Sequence, residues 1–217
     1  MTIRVPQVMR VAAIDRFGGP EVPTLHSLPA PRPDPDEVLI EVHTAGVGGR
    51  DADMRGGWWP EGRPKFPVVL GSDGAGTVAA VESRVRRLRV GDRIYAYNFN
   101  NPKGGFYAEY VAVPAANAAP VTETLDLKRA GAIATTGLTA LQGIDDALRI
   151  RAGEALIIHG ASGGVGTLAV QFAKARRAGA GDGFRGRRSE AGAAAGRRHV
   201  DRWIYGEPAS RSSLVRT

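Results

Sequence analysis

The amino-acid sequence predicts an α/β plus β chain, in which an antiparallel β domain is followed by the start of an α/β unit. Three observations support this prediction. Short apolar segments recur between Gly and Pro residues over roughly residues 5–120. Helical periodicity then replaces them, and finally a glycine-rich turn joins an apolar run to an amphipathic segment.

The strands of the β domain are indicated by alternation and by turn residues. The stretch PRPDPDEVLIEV leads from a proline-rich loop into Val38, Ile40 and Val42, whose period of two predicts a half-buried strand. FPVVLGSDGAGTVAAVE places a Gly-rich bend between two apolar runs, and VGDRIYAY and GGFYAEYVAVP each predict a further strand. Such spacing is typical of a small, barrel-like antiparallel domain.

The pattern then changes within TTGLTALQGIDDALRI. Its large apolar residues recur at helical spacing, at Leu138, Leu141, Ile144 and Leu148. Gly143 interrupts this pattern but does not end it. The continuous apolar run at 156–158 predicts a strand buried in a parallel sheet, because both of its faces are apolar.

The stretch HGASGGVGTLAVQFAKA predicts a strand-to-helix turn that binds a phosphate. The apolar residues after the glycines share one helical face, at Val165, Leu168, Ala169 and Phe172. Backbone N–H groups at a helix start lack intrahelical acceptors, and glycine lets an anion approach them. The pattern Ala161-x-Gly163-x-x-Gly166 follows the dinucleotide fingerprint, with Ala161 in place of the first glycine.

Two questions about this turn stay open at the level of sequence. A Gly-rich turn can be a tight connection without a ligand. Ser162 can donate a hydrogen bond to a phosphate oxygen, or it can cap the helix.

Composition restricts the partners that we expect. The net charge of +7 is concentrated near the C-terminal end: residues 1–175 hold 19 Lys and Arg against 18 Asp and Glu, and residues 176–217 hold 10 against 4. We therefore expect no nucleic-acid partner for the body of the protein. The sequence has neither an apolar signal core nor a membrane-spanning run, so we expect a cytoplasmic protein without a membrane partner.

The ordered motifs resemble those of the medium-chain dehydrogenase/reductase superfamily, and within it the zinc-independent, zeta-crystallin-like quinone oxidoreductases. The similar segments are IDRFGGPEV, PDPDEVLIEVHTAGVGGRDADMRGG, LGSDGAGTV, VGDRIYAY, GGFYAEYVAVP, GLTALQGI and HGASGGVGTLAVQFAKA. The resemblance implies a GroES-like β-barrel domain at 1–122 and the start of a Rossmann NAD(P)-binding domain at 123–176. The nicotinamide would lie in the cleft between them.

The resemblance also implies chemistry without zinc. Zinc-dependent relatives carry a Cys and a His where this chain has Gly48 and Ser72, and the chain contains no cysteine with which to build a Cys₂His shell. The four histidines are scattered, so we expect no metal site. Alcohol oxidation benefits from a Lewis acid, whereas a quinone or a conjugated enone accepts a hydride more readily without one. NADPH is the expected donor, and NADH is not excluded.

Individual site residues follow from the same resemblance. Many quinone oxidoreductases have an Asn at the position of Gly48, lining the nicotinamide pocket, and Thr139 matches a position near the cofactor. The candidate cofactor-binding residues are Gly48, Thr139, Gly160, Ala161, Ser162, Gly163, Gly164, Val165 and Gly166. Asp51 is the candidate catalytic residue, and it either orients a ribose or a water or caps a local turn.

The basic, Ala/Gly/Arg-rich segment 177–217 does not continue the family pattern. A Rossmann unit needs a second parallel strand whose end selects NAD or NADP, and this segment offers no such strand. We expect an aberrant, disordered tail after an incomplete Rossmann domain, and a frameshift is one hypothesis for its origin. The family is usually homodimeric, and its dimer contacts would be missing here.

Two alternatives to the quinone oxidoreductase remain. One is an enoyl-thioester reductase of the same superfamily, which differs in its acceptor. The other is a non-catalytic remnant, whose β domain folds but which binds no dinucleotide.

Overall fold

The computed structural model describes residues 5–60 and 62–176. The chain divides into two compact units, Met1–Thr135 and Thr136–Thr217. The domain boundary expected at residue 122 stays a prediction, and the tail expected at 177–217 lies outside the described residues.

The described part of the first unit is built from eight antiparallel strands: β1 (Val8–Ile14), β2 (Thr24–Pro29), β3 (Glu37–Ala45), β4 (Val68–Val69), β5 (Asp73–Val81), β6 (Arg93–Tyr97), β7 (Tyr110–Pro114) and β8 (Ala118–Pro120). They form a three-stranded sheet in the order β2-β1-β4 and a five-stranded sheet in the order β7-β3-β5-β6-β8. An isolated bridge pairs Val11 with Ala108. The predicted antiparallel β domain is confirmed.

Short helices connect these strands. Helix α1 (Gly49–Arg55) follows β3, and a 3₁₀ turn (Ala115–Asn117) separates β7 from β8. Helix α2 (Leu127–Ala130) begins at Asp126, whose carboxylate accepts a hydrogen bond from the Arg129 N–H at 2.7 Å. An acidic N-cap of this kind satisfies one of the N–H groups that a helix start leaves without a partner.

The first half of β3 is buried on both faces, so its predicted half-buried character is wrong. Val38 and Ile40 lie fully buried in the main core. Leu39, on the opposite face, is only 2% exposed and packs with Val11 of β1. The alternating pattern predicts that the face of Leu39 is exposed to solvent, but the three-stranded sheet packs against it. The strands of that sheet lie far from β3 in the chain, so a local pattern does not reveal this contact.

The described part of the second unit is helical. It contains most of α3 (Ala134–Gln142), a π-helical turn (Gly143–Ala147) and α4 (Gly164–Ala175). Both helices are confirmed, and the π turn begins at Gly143. The predicted apolar face of α3 is only partly correct, since Leu138 is 44% exposed. Every helix in the described residues is too short or too polar to cross a membrane.

The apolar run at 156–158 is not the buried strand that its composition predicts. Ala155 and Ile157 make isolated bridges, and Ile157 is 37% exposed. Leu156 and Ile158 pack against the cluster that contains Ile144 and Ala169. A strand becomes buried on both faces when neighbouring strands and helices surround it, and a strand's own residues do not specify those neighbours.

Candidate functional site

The glycine turn lies directly before α4. The N-cap residue is Gly163, with an extended backbone (φ −80°, ψ 170°), and no side chain caps it. The helix cap that the sequence assigned to Ser162 as one alternative therefore falls on Gly163. Ser162, Gly163 and Gly164 are all exposed.

Gly166 lets the turn pack closely against its own helix. A Cβ at this position would collide with the carbonyl oxygen of Gly160 and lie 2.7 Å from Cα of Ala161. Gly160 itself has a positive φ of 68°, which favours glycine. The turn is also held by the Thr167 hydroxyl, which donates to the Gly163 carbonyl at 2.8 Å.

The start of α4 has the backbone features of an anion-binding helix N-terminus. The first N–H groups of α4 have no acceptor within the helix, and a glycine N-cap supplies no competing side-chain oxygen. The helix is 12 residues long, so its N-terminus carries the positive end of a developed dipole. The side chain of Val165 is half-buried and packs against the apolar cluster of this unit.

Thr139 lies on the exposed side of α3. One turn earlier, the methyl group of Thr136 would lie 3.1 Å from a Cβ built on Gly164. The start of α3 therefore packs beside the first turn of α4, and Thr139 belongs to the same unit as the glycine turn.

Asp51 joins two loops of the first unit. It is 7% exposed, and its Oδ2 accepts a hydrogen bond from the Gly48 N–H at 2.9 Å. Its Oδ1 accepts a second from the Gly71 N–H at 3.1 Å. Asp51 is the third residue of α1, so the first bond caps this helix. The structure thus brings Asp51 and Gly48 together, in the capping geometry that the sequence left as one of two alternatives.

The loop at Gly71 packs against Tyr107. Gly71 has a φ of +99°, and a Cβ there would lie 2.9 Å from the backbone nitrogens of Phe106 and Tyr107. The Tyr107 N–H donates to the Leu70 carbonyl at 2.9 Å. Burial and the negative charge of Asp51 raise the pKa of the Tyr107 hydroxyl far above its ordinary value. A half-buried tyrosine, whose hydroxyl oxygen is enclosed, therefore lies beside the Asp51 link.

Ser72 lines a small cavity of about 30 Å³, with residues of α1, the Trp59 segment and the loop at Asn100. The next residue, Asp73, is buried and accepts a hydrogen bond from the Thr135 N–H at 2.8 Å. Sequence reasoning missed Asp73, although the polar residue at the start of an apolar strand was a usable signal.

Among the described residues, no three His, Cys, Asp or Glu side chains gather into a group that could hold a metal.

A cation–aromatic patch adjoins Gly48 and Ser72. The Arg50 guanidinium carbon lies 4.4 Å from the Phe99 ring centroid. The Trp58 and Phe99 rings stack at 6.5 Å with an angle of 26° between their planes. Sequence reasoning missed all three residues: Arg50 lies within a family-like segment without an assigned role, and Phe99 is distant from it in the chain. We call Arg50, Trp58 and Phe99 the aromatic patch.

Residues 34–123 match the family model of the alcohol dehydrogenase GroES-like domain. The chain is 37% identical over 170 residues to a quinone oxidoreductase from Rattus norvegicus, a match that covers 78% of the chain and 50% of the relative. The solved structure of a quinone oxidoreductase from Coxiella burnetii is 31% identical with a TM-score of 0.69, covering 79% of the chain and 55% of that structure.

A second solved structure is that of an alcohol dehydrogenase superfamily protein from Novosphingobium aromaticivorans. It is 33% identical with a TM-score of 0.72, covering 78% of the chain and 51% of that structure. The chain spans about half the length of the curated relatives it matches.

Proposed function

The chain belongs to the medium-chain dehydrogenase/reductase superfamily, and on this premise we propose that it serves hydride transfer from NADPH to a quinone or similar conjugated carbonyl. The proposal includes independence from zinc and a cytoplasmic location. Its substrate is a small molecule, in keeping with the quinone oxidoreductases among the chain's relatives.

The observation that carries this proposal is the uncapped glycine turn at the start of α4. Exposed Ser162, Gly163 and Gly164 leave the first N–H groups of the helix open to an anion. Gly166 allows the close packing that the third glycine of the dinucleotide fingerprint provides. The turn therefore supports the cofactor-binding roles proposed for Gly160 to Gly166.

The zinc-independent part of the proposal rests on composition. The chain contains no cysteine, and Gly48 and Ser72 stand where zinc-dependent relatives carry a Cys and a His. Glycine has no side chain with which to ligate a metal. An acceptor that is already electrophilic, such as a quinone, suits this site because it needs less polarisation by a Lewis acid.

The reaction needs a hydride donor, and the bound nicotinamide dinucleotide supplies it. The residues of this chain would bind and orient. The glycine turn would hold the pyrophosphate, and Thr139 would contribute from α3. Asp51 keeps the loops of Gly48 and Gly71 at a fixed separation through its two hydrogen bonds, so we assign it a positioning role. Orientation of this kind accelerates a reaction by holding the two reactants in productive geometry.

Substitutions of Gly163 test the phosphate-binding role. Asp and Asn are about equally good N-cap residues, so Gly163→Asp and Gly163→Asn should both preserve α4. Only the aspartate places a negative charge where the pyrophosphate would bind. We expect Gly163→Asp to bind NADPH at least tenfold more weakly than Gly163→Asn, measured by nucleotide fluorescence in an NADPH titration.

Equal NADPH affinities for the two variants would contradict the assignment of this turn. A folded wild-type protein that binds no NADPH at all would favour the non-catalytic alternative. Circular dichroism of both variants checks that α4 is retained.

A further inference from the structure

We infer that Arg50, Trp58 and Phe99 recognise the hydride acceptor, and that they select planar quinones that bear an anionic substituent. This inference rests on the proposed function and names its substrate class. The patch lies entirely within the first unit, so its geometry is fixed by one compact part of the chain.

The location of the patch connects it with the site. Arg50 is the second residue of α1, and the first turn of this helix is capped through Gly48 and Asp51. Phe99 follows Asn98, whose N–H donates to the Ser72 carbonyl at 2.8 Å. The patch therefore lies close in the chain to Gly48 and is linked through Asn98 to Ser72, the two positions on which the zinc-independent proposal rests.

The charge of Arg50 has no carboxylate partner in the described part of the chain, where the ion pairs of Lys and Arg form among other residues. Lys103 provides a contrast, since its ammonium lies 2.6 Å from Glu37 and 2.8 Å from Asp34. The exposed Arg50 guanidinium instead lies over the face of Phe99. Such a cation keeps its planar donor edge available to a carboxylate or sulfonate.

The two rings explain the preference for a planar ligand. Phe99 is half-buried in a core cluster with Met54 and Leu70, which holds its ring in place. Trp58 is 51% exposed, an unusual exposure for the largest apolar side chain. An aromatic acceptor that stacks on the indole would cover this surface while its anionic substituent meets Arg50.

The test compares two quinones of the same ring system by equilibrium dialysis. Anthraquinone-2-sulfonate carries a negative charge, and 2-(hydroxymethyl)anthraquinone is neutral. We expect wild-type protein to bind the sulfonate at least tenfold more tightly than the neutral quinone. Arg50→Gln should abolish this preference and leave the affinity for the neutral quinone unchanged, whereas Arg50→Lys should retain part of it.

Arg89→Gln is the matched control, since Arg89 is exposed and its loss changes the net charge by the same amount. It should leave the preference intact. Trp58→Leu should lower the affinity for both quinones to a similar degree, because stacking on the indole does not depend on the substituent. Circular dichroism confirms that each variant is folded.

Four results would overturn the inference. The first two are that wild-type protein binds neither quinone, or that it binds both equally well. The third is that Arg50→Gln and Arg89→Gln lose the preference for the sulfonate to the same degree. The fourth is that Arg50→Gln loses NADPH affinity while its quinone binding is unchanged. The last result would assign the guanidinium to the nucleotide. NADPH titration of wild-type protein is a separate measurement, so failure of the proposed function is distinguished from failure of this inference.

Discussion

A single buried carboxylate links two loops at the candidate site. Asp51 accepts hydrogen bonds from the N–H groups of Gly48 and Gly71, which belong to segments on either side of α1. Sequence resemblance pointed to Asp51 but left its role open between a ligand contact and a turn cap. The second hydrogen bond, to Gly71, was not foreseeable, because no local pattern relates residues 20 positions apart.

Replacing Asp51 tests this link. Asp51→Ala leaves two backbone N–H groups without their acceptor, and we expect a loss of about 2–4 kcal/mol in the free energy of unfolding. Asp51→Asn keeps one carbonyl oxygen and should cost roughly half as much. Urea denaturation measures both. A stability equal to wild type in Asp51→Ala would show that the link is dispensable.

Tyr107 makes the stability of the protein depend on alkaline pH. Its pKa is raised by burial and by Asp51, so the folded state holds the hydroxyl proton more tightly than the unfolded chain does. The resulting stabilisation is fully present below the unfolded pKa of about 10 and changes only above it. Above pH 10 the unfolded state ionises first, and the stability falls as the pH rises.

We therefore expect wild-type protein to lose stability more steeply than Tyr107→Phe between about pH 10 and 11.5. Denaturation midpoints at several pH values measure the difference. The Tyr107→Phe variant should also lack the last-titrating phenol in an ultraviolet absorbance titration. Parallel stability curves for the two proteins would contradict the prediction.

At the scale of elements, α4 and its glycine turn were predictable because their signals are local. The apolar face of the helix and the glycine spacing both lie within one short stretch, and the structure forms the helix at Gly164–Ala175. The run at 156–158 was predicted wrongly, since a buried parallel strand depends on neighbours that its own residues do not specify. The second buried face of β3 was missed for the same reason.

The two glycines in the first turn of α4 should differ in their tolerance of alanine. At Gly166 a Cβ would meet backbone atoms of Gly160 and Ala161, which cannot move without opening the turn. At Gly164 it would meet only the methyl group of Thr136 at 3.1 Å. We expect Gly166→Ala to increase hydrogen exchange of the α4 amides by tenfold or more, and Gly164→Ala to have a much smaller effect.

Mass spectrometry of the exchanged peptides measures this contrast. Equal protection of α4 in the two variants would mean that the turn relaxes around a new Cβ at either position. Peptides from β5 provide an internal reference, because they belong to the other compact unit.

At the scale of the whole molecule, the described residues of the two units form cores of different size. The main core of the first unit buries many large side chains, including Ile94 and Phe106. In the described part of the second unit, Ile144 is the one large side chain in a fully buried cluster otherwise made of Ala140, Ala169 and Ala173. A smaller apolar core stabilises its unit less.

We expect Ile144→Ala to open the second unit while the first remains folded. Hydrogen exchange should increase tenfold or more in α4 and stay unchanged in β3 and β5. Ile94→Ala should instead cost about 2–5 kcal/mol in the unfolding of the first unit. Simultaneous loss of protection in both units of Ile144→Ala would show that they unfold as one.

The Asp51 link has a consequence for how such a protein can diversify. Because one carboxylate accepts hydrogen bonds from both ends of the intervening chain, the span from Gly48 to Gly71 forms a closed loop. Trp58 lies within this loop, so its exchange removes neither of the two hydrogen bonds that close it. On our inference that the aromatic patch binds the acceptor, exchange of Trp58 would change the acceptor preference and leave both of these hydrogen bonds in place.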